Sequence, residues 1–148
     1  MNTEETGISM NDISKRENTT ALAFIGDAVF ELHIRAYVMK KGIKDADRMH
    51  RETVKYVRAE SQAETAKYLL NGEGLLSDEE EALLKRARNK KSTSKSRSAG
   101  PVSYKLATAF EALVGGLYMA GSEERCREIM DTAIDIREGR VGRLEQSR

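Results

Sequence analysis

A chain with a single proline, Pro101, in 148 residues and no stretch where apolar and polar residues alternate in twos has helix as its one regular option. β-Branched runs are also few, so the fold class read from the sequence is all-α. Residues 1 to about 18 are polar and are expected to form a mobile lead. A helix should begin near Thr19 or Thr20, either able to cap it, and end at about Lys41, where Gly42 follows. "KDADRMH" suits a short helical turn, and a long helix is expected from about Arg51 to Leu70, closed by Asn71–Gly72. Ser77 followed by Glu80 is a capping box opening the next helix. "NKKSTSKSRSAGP" breaks the periodicity and reads as a loop. Another helix should run from near Ser103 to about Ala120, stopped by Gly121. Ser122 should cap a last helix ending around Arg137, before the fraying tail "EGRVGRLEQSR".

The length suits one domain with a real core. At 39% hydrophobic and 33% charged, the chain is too apolar to be disordered. One cysteine, Cys126, excludes an intrachain disulfide and the usual cysteine-based zinc site; it is expected as a small core side chain. The N-terminus lacks the apolar region of a secretory signal, and no charge-free apolar run reaches membrane-spanning length, so a cytoplasmic protein is expected.

Two acids stand out. In "ALAFIGDAVFE", Ala21–Glu31, Leu22, Ile25, Val29, Leu32 and Ala36 mark one apolar stripe, with Phe24, Phe30, Ile34 and Val38 on the other side. A helix apolar nearly all round should be buried on several sides, with Asp27 embedded in it. "LATAFEALVGGLYMA", residues 106–120, likewise holds one charge, Glu111. Its Gly115–Gly116 pair suggests that another helix passes close. A buried carboxylate is costly unless it is paired or binds a metal, and two brought together repel. Either acid alone could simply pair with an arginine, such as Arg35 or Arg58 for Asp27. Both together, in the two most apolar helices, favour a shared cation, and hard oxygen donors in low number suit Mg²⁺.

The net charge of +1 is uninformative, but its distribution is not. From Ala82 to Phe110 there is no acid, while Lys85, Arg86, Arg88, Lys90, Lys91, Lys95, Arg97 and Lys105 all fall there. With the hydroxyl and amide donors of the same stretch, Asn89 and Ser92 included, these residues are expected to hold a phosphate backbone. A solvated basic loop would explain the run too, but the run leads straight into the helix carrying Glu111. Few aromatics look exposed, so recognition of a duplex backbone fits better than base stacking on single strands. His33, among apolar neighbours, reads as a packed or surface histidine. His50, between Arg48 and Arg51, could touch phosphate, and neither is given a catalytic role.

"ALAFIGDAVFE" resembles the ribonuclease III signature, and "TAFEAL", Thr108–Leu113, resembles that family's second acidic motif. The likeness covers roughly residues 15–140, with 1–14 a flexible lead and 141–148 a flexible tail. It leaves no room for the usual C-terminal double-stranded-RNA-binding domain, which points to the Mini-III branch. "SQAE" at Ser61–Glu64, "EEEALLKRARNKKS" at Glu79–Ser92 and "ATAFEAL" at Ala107–Leu113 agree with that branch. The resemblance implies Mg²⁺ held by Asp27 and Glu111 as the catalytic residues, with an activated water attacking a phosphodiester of double-stranded RNA. It also implies a homodimer, with Phe24 packing across the interface, and maturation of large-subunit (23S) ribosomal RNA as the task. A large-subunit ribosomal protein is a candidate partner. The larger family carries two more acids, where this chain has Ala23 and Thr108. The rival reading is a non-catalytic ribonuclease III fold that binds RNA as a scaffold in ribosome assembly.

Overall fold

The structure is a computed structural model and describes residues 8–91 and 101–141. Seven helices follow one another among the described residues: α1 Met10–Arg16, α2 Thr19–Lys40, α3 Ala46–Val57, α4 Ala59–Asn71, α5 Asp78–Asn89, α6 Pro101–Met119 and α7 Glu123–Arg137. No strand occurs among them, as the all-α reading requires. No helix among the described residues is long and apolar enough to cross a membrane.

Helix α6 is the axis of the fold. Ala109, Phe110, Ala112, Leu113 and Val114 are wholly buried, and α1, α2, α4, α5 and α7 all pack on it. Its closest partner is α2. A Cβ on Gly26 would stand 1.8 Å from the Glu111 carbonyl oxygen, and one on Gly115 would stand 1.9 Å from that of Leu22. Backbone meets backbone at this crossing, which is what the glycine pair in α6 suggested. Gly116 serves a different neighbour and makes room for Leu83 and Met10. Just beyond the crossing, Phe30 and Phe110 meet edge to face with centroids 5.0 Å apart. Each contributes on the order of 2–3 kcal/mol by burial.

Several expectations are corrected. Helix α2 is capped by neither threonine; the Asn18 side chain accepts from the Ala21 N–H at 2.7 Å. The packed face of α2 is Leu22, Ala23, Gly26, Phe30, Ile34 and Val38, whereas Leu32 is 70% exposed and Ala36 also faces outward. Hydropathy cannot choose between two apolar stripes on one helix; the glycine crossing does. Asp27, at the angular edge of the packed face, is exposed rather than embedded.

The long helix expected over 51–70 is two helices, broken at Arg58, whose φ of −67° and ψ of 155° are extended. Carbonyls at the end of α3 find side-chain donors instead of the next turn: Ser61 Oγ donates to Lys55 O and Gln62 Nε2 to Val57 O, both at 2.7 Å.

The N-terminal lead is folded from Met10. Ser9 accepts from the Asp12 N–H, and Met10 and Ile13 are buried in the core. At the other end, Glu138 is tied down rather than fraying. It accepts from Tyr56 Oη at 2.7 Å and from Tyr37 Oη, and Lys41 Nζ lies 3.3 Å away. Burial alone would raise its carboxyl, but hydrogen bonds from Tyr37, Tyr56, Arg140 and Lys41 bring it down to about 2.

The Ser77–Glu80 capping box is present, with both reciprocal bonds formed. Glu80 also takes a two-pronged ion pair from Arg125 of α7, with both distances 2.9 Å. Cys126 is buried in the core, as expected.

Candidate active site

The Gly26–Gly115 crossing determines what stands next to it. Asp27 follows Gly26 on α2. Glu111 lies one turn before Gly115 on α6, and its carbonyl touches Gly26. The two carboxyl groups therefore meet and hydrogen-bond. Burial, the hydrogen bond to Asp27 and the Asp27 charge together push the Glu111 carboxyl up to about 8, with a smaller opposing pull from a Gln62 hydrogen bond. Near neutral pH, Glu111 therefore keeps its proton. Arg35 pairs with Glu31, and among the described residues no cation pairs with either acid.

Both acids open into a cleft of about 520 Å³ between α2, α5 and α6. Lys90, Lys91 and Lys105 line it together with Thr19, Thr20, Tyr104, Phe24 and Ala87. Lys90 Nζ donates to Thr20 Oγ1, which draws the end of α5 toward α2. Ala23 and Thr108 also line the cleft, so the two positions where the larger family keeps acids share it with Asp27 and Glu111.

A divalent cation fits this donor set. Two hard oxygen donors come from facing helices with no competing cation among the described residues, and a dication would take the place of the Glu111 proton. No group of three or more metal-ligating side chains occurs among the described residues, so most of the coordination shell would be left to water and substrate.

The other residues singled out in the sequence are spread more widely. Lys85 is engaged by Glu81 at 2.6 Å and does not line the acid cleft. Arg86 and Asn89 line a neighbouring hollow with Asn18 and Lys90, and Arg88 faces a third. Ser92, Lys95 and Arg97 lie outside the described residues. His33 bonds Asp131 of α7 at 2.8 Å. His50 lines a cleft between α2 and α3 with Arg35 and Met49, apart from the acids.

Gln62 was missed as a site residue. It is 2% exposed, and its amide donates to Val57 O and also hydrogen-bonds Glu111. Its Oε1 is left without a partner among the described residues, since both of its neighbours here are acceptors and call for the nitrogen. "SQAE" held the signal, but only the break at Arg58 shows what the glutamine reaches. Tyr104 left no signal in the sequence at all.

A family model described as "Ribonuclease III domain" matches residues 20–122. A Mini-ribonuclease 3 of Thermoanaerobacter sp. (strain X514) is 42% identical over 115 residues, covering 78% of this chain and 79% of that protein. Another, of Brevibacillus brevis, is 41% identical over 122 residues, covering 82% of this chain and 89% of that one. Among solved structures, a crystal structure of a protein from Fusobacterium nucleatum matches with a TM-score of 0.72 at 32% identity, over 82% of this chain and 96% of that chain.

Proposed function

This chain belongs to the ribonuclease III family, alongside the Mini-ribonuclease 3 proteins, and is on that ground a hydrolase that cleaves double-stranded RNA; we propose that it acts as a Mg²⁺-dependent endoribonuclease in the maturation of large-subunit (23S) ribosomal RNA. One observation carries the chemistry: two carboxyl groups from crossing helices meet in a cleft that lysines also line. Asp27 and Glu111 are the residues that would hold Mg²⁺. When bound, the ion supplies Lewis acidity toward the attacking water and the phosphate oxygens.

The chain's own residues do the rest. Asp27 offers an acceptor for the proton leaving the attacking water, and Glu111 can offer another only once its own proton has been displaced. Gln62 holds the Glu111 carboxyl from the buried side. Lys90, Lys91 and Lys105 attract the phosphate backbone and offset its charge as negative charge builds at the scissile phosphate. With Ala23 and Thr108 in place of acids, the protein adds only two negative charges, so less of the lysines' pull on the RNA is cancelled.

A homodimer fits the outward face of α2. Phe24 is 81% exposed, and Leu32 and Met39 share that face at helical spacing, with no element among the described residues over them. A second copy laid on this stripe would cover it and set two acid clefts on one duplex.

The test compares wild type with Asp27→Asn on duplex RNA, with Mg²⁺ and with chelator. Wild type should cut only with Mg²⁺, and the variant should bind without cutting. Cutting by Asp27→Asn at the wild-type rate would show that the acid pair is misassigned. Binding without cleavage by wild type would favour the scaffold reading instead. Products formed from a large-subunit ribosomal RNA precursor, mapped to mature ends, test the substrate.

A further inference from the structure

A second cleft, of about 450 Å³, opens between α4, α5 and α6. Every ionisable side chain lining it is a cation: Lys67 from α4, Arg88 from α5 and Lys105 from α6. Asn71 and Asn89 add amides at its wall. Lys105 also lines the acid cleft, so the two hollows are neighbours that share a wall.

Local helix electrostatics explains only part of this cluster. Arg88 lies in the last turn of α5, where a cation complements the negative end of the dipole. Lys67 is not in the last turn of α4, which has no basic residue. Lys105 lies in the second turn of α6, far from the negative end of the dipole that would favour a cation, and no acid stands in the first turn of α6 to offset it. Lys85, outside both clefts, is neutralised by Glu81. No acid among the described residues pairs with Lys67, Arg88 or Lys105. Three like charges from three helices, converging without a counterion, repel one another, and a polyanion relieves that repulsion.

We propose that Lys67, Arg88 and Lys105 form a second phosphate subsite for the backbone of the RNA duplex, gripping it away from the scissile bond. The inference rests on the RNA-cleaving function proposed above and extends it to Lys67, which lies outside the basic run in the sequence. A strand that leaves the acid cleft past Lys105 enters the second cleft directly. Lys105 joins the two clefts, and Lys67 and Arg88, outside the acid cleft, therefore act on binding and register and touch no reacting atom.

The test uses the full chain and a fully paired RNA duplex several helical turns long. Binding is measured in the Asp27→Asn background across a salt series, and cleavage in the wild-type background, with Lys67→Ala, Lys67→Arg and, as a charge control, Lys44→Ala in the exposed connection before α3. Lys67→Ala should make the plot of log affinity against log salt shallower by about one unit. It should raise KM and leave kcat near the wild-type value, with Lys67→Arg restoring KM. Lys44→Ala should change neither. An unchanged salt slope and KM in Lys67→Ala would overturn the subsite, as would an equal effect from Lys44→Ala, which would trace the change to net charge alone. If wild type neither binds nor cuts the duplex, the RNA-cleaving function falls first and the subsite with it.

Discussion

Glu111→Gln should make the metal-free protein more stable while abolishing its activity. The glutamine keeps the shape of the side chain, and its amide can donate to Asp27 and accept from Gln62. What it removes is a carboxyl that the fold holds protonated up to about pH 8, against 4.5 ordinarily. Because the native state keeps this proton after the unfolded chain has lost it, wild-type stability falls as pH rises from about 4.5 through about 8, then levels off. At about 1.4 kcal/mol per pH unit, the full loss is on the order of 4–5 kcal/mol. The variant escapes it. Urea unfolding in chelator should give similar midpoints for the two proteins near pH 5. Near pH 9 the variant should unfold about 1.5–2.5 M later, for an m-value of about 2–3 kcal/mol/M. Excess Mg²⁺ should raise the wild-type midpoint at the higher pH and leave the variant nearly unmoved, because only the ionised pair gains from the ion. Midpoints that run parallel from pH 5 to 9 would refute the coupling of Glu111 to Asp27. A gap that opens with pH but ignores Mg²⁺ would keep the coupling and remove the metal.

Two further outcomes test the frame around the site. Gly26→Ala sets a Cβ 1.8 Å from a backbone oxygen, so the α2–α6 crossing must open; a loss of about 3 kcal/mol or more is expected by urea unfolding. Gly42→Ala, with φ at 84° but open space around it, should cost only about 1 kcal/mol, and the reverse order would show that the crossing is loose. Arg125→Met leaves the nearly buried Glu80 carboxylate without its two-pronged partner and should cost about 3 kcal/mol at neutral pH. Burial would raise the Glu80 carboxyl, but Arg125 and the Ser77 N–H hold it below its usual range. The stability they confer is thus present above about pH 4.5 and fades as pH falls through the native value. The gap between Arg125→Met and wild type should narrow in acid, and a constant gap would mean that the arginine contributes packing alone.

The helical class, the capping box at Ser77, the glycine close to Lys41 and the two isolated acids were all legible in the chain, because each rests on neighbours three or four residues apart. What failed were judgements about partners. Ser9, Met10 and Ile13 already had the spacing of a capped helix, yet a seven-residue helix is marginal alone, and α1 depends on the core that receives Met10 and Ile13. The break at Arg58 was invisible in the periodicity, since it depends on Ser61 and Gln62 reaching back to the carbonyls of α3. Glu138 looked like tail until Tyr37, Tyr56 and Lys41 were seen to converge on it.

Helicity, one acid on each of two apolar helices, and a basic, acid-free stretch before the second are all written in the order of residues along the chain. Those are properties of composition and of 3.6-residue periodicity, which act locally. Which apolar stripe of α2 is packed, why Asp27 is exposed while Glu111 is half buried, and how Lys67 joins Arg88 and Lys105 follow from how the helices pack. The reason is the crossing of α2 and α6 at Gly26 and Gly115. Backbone contact at that point sets the rotation of both helices, and the rotation sets where every side chain on them ends up.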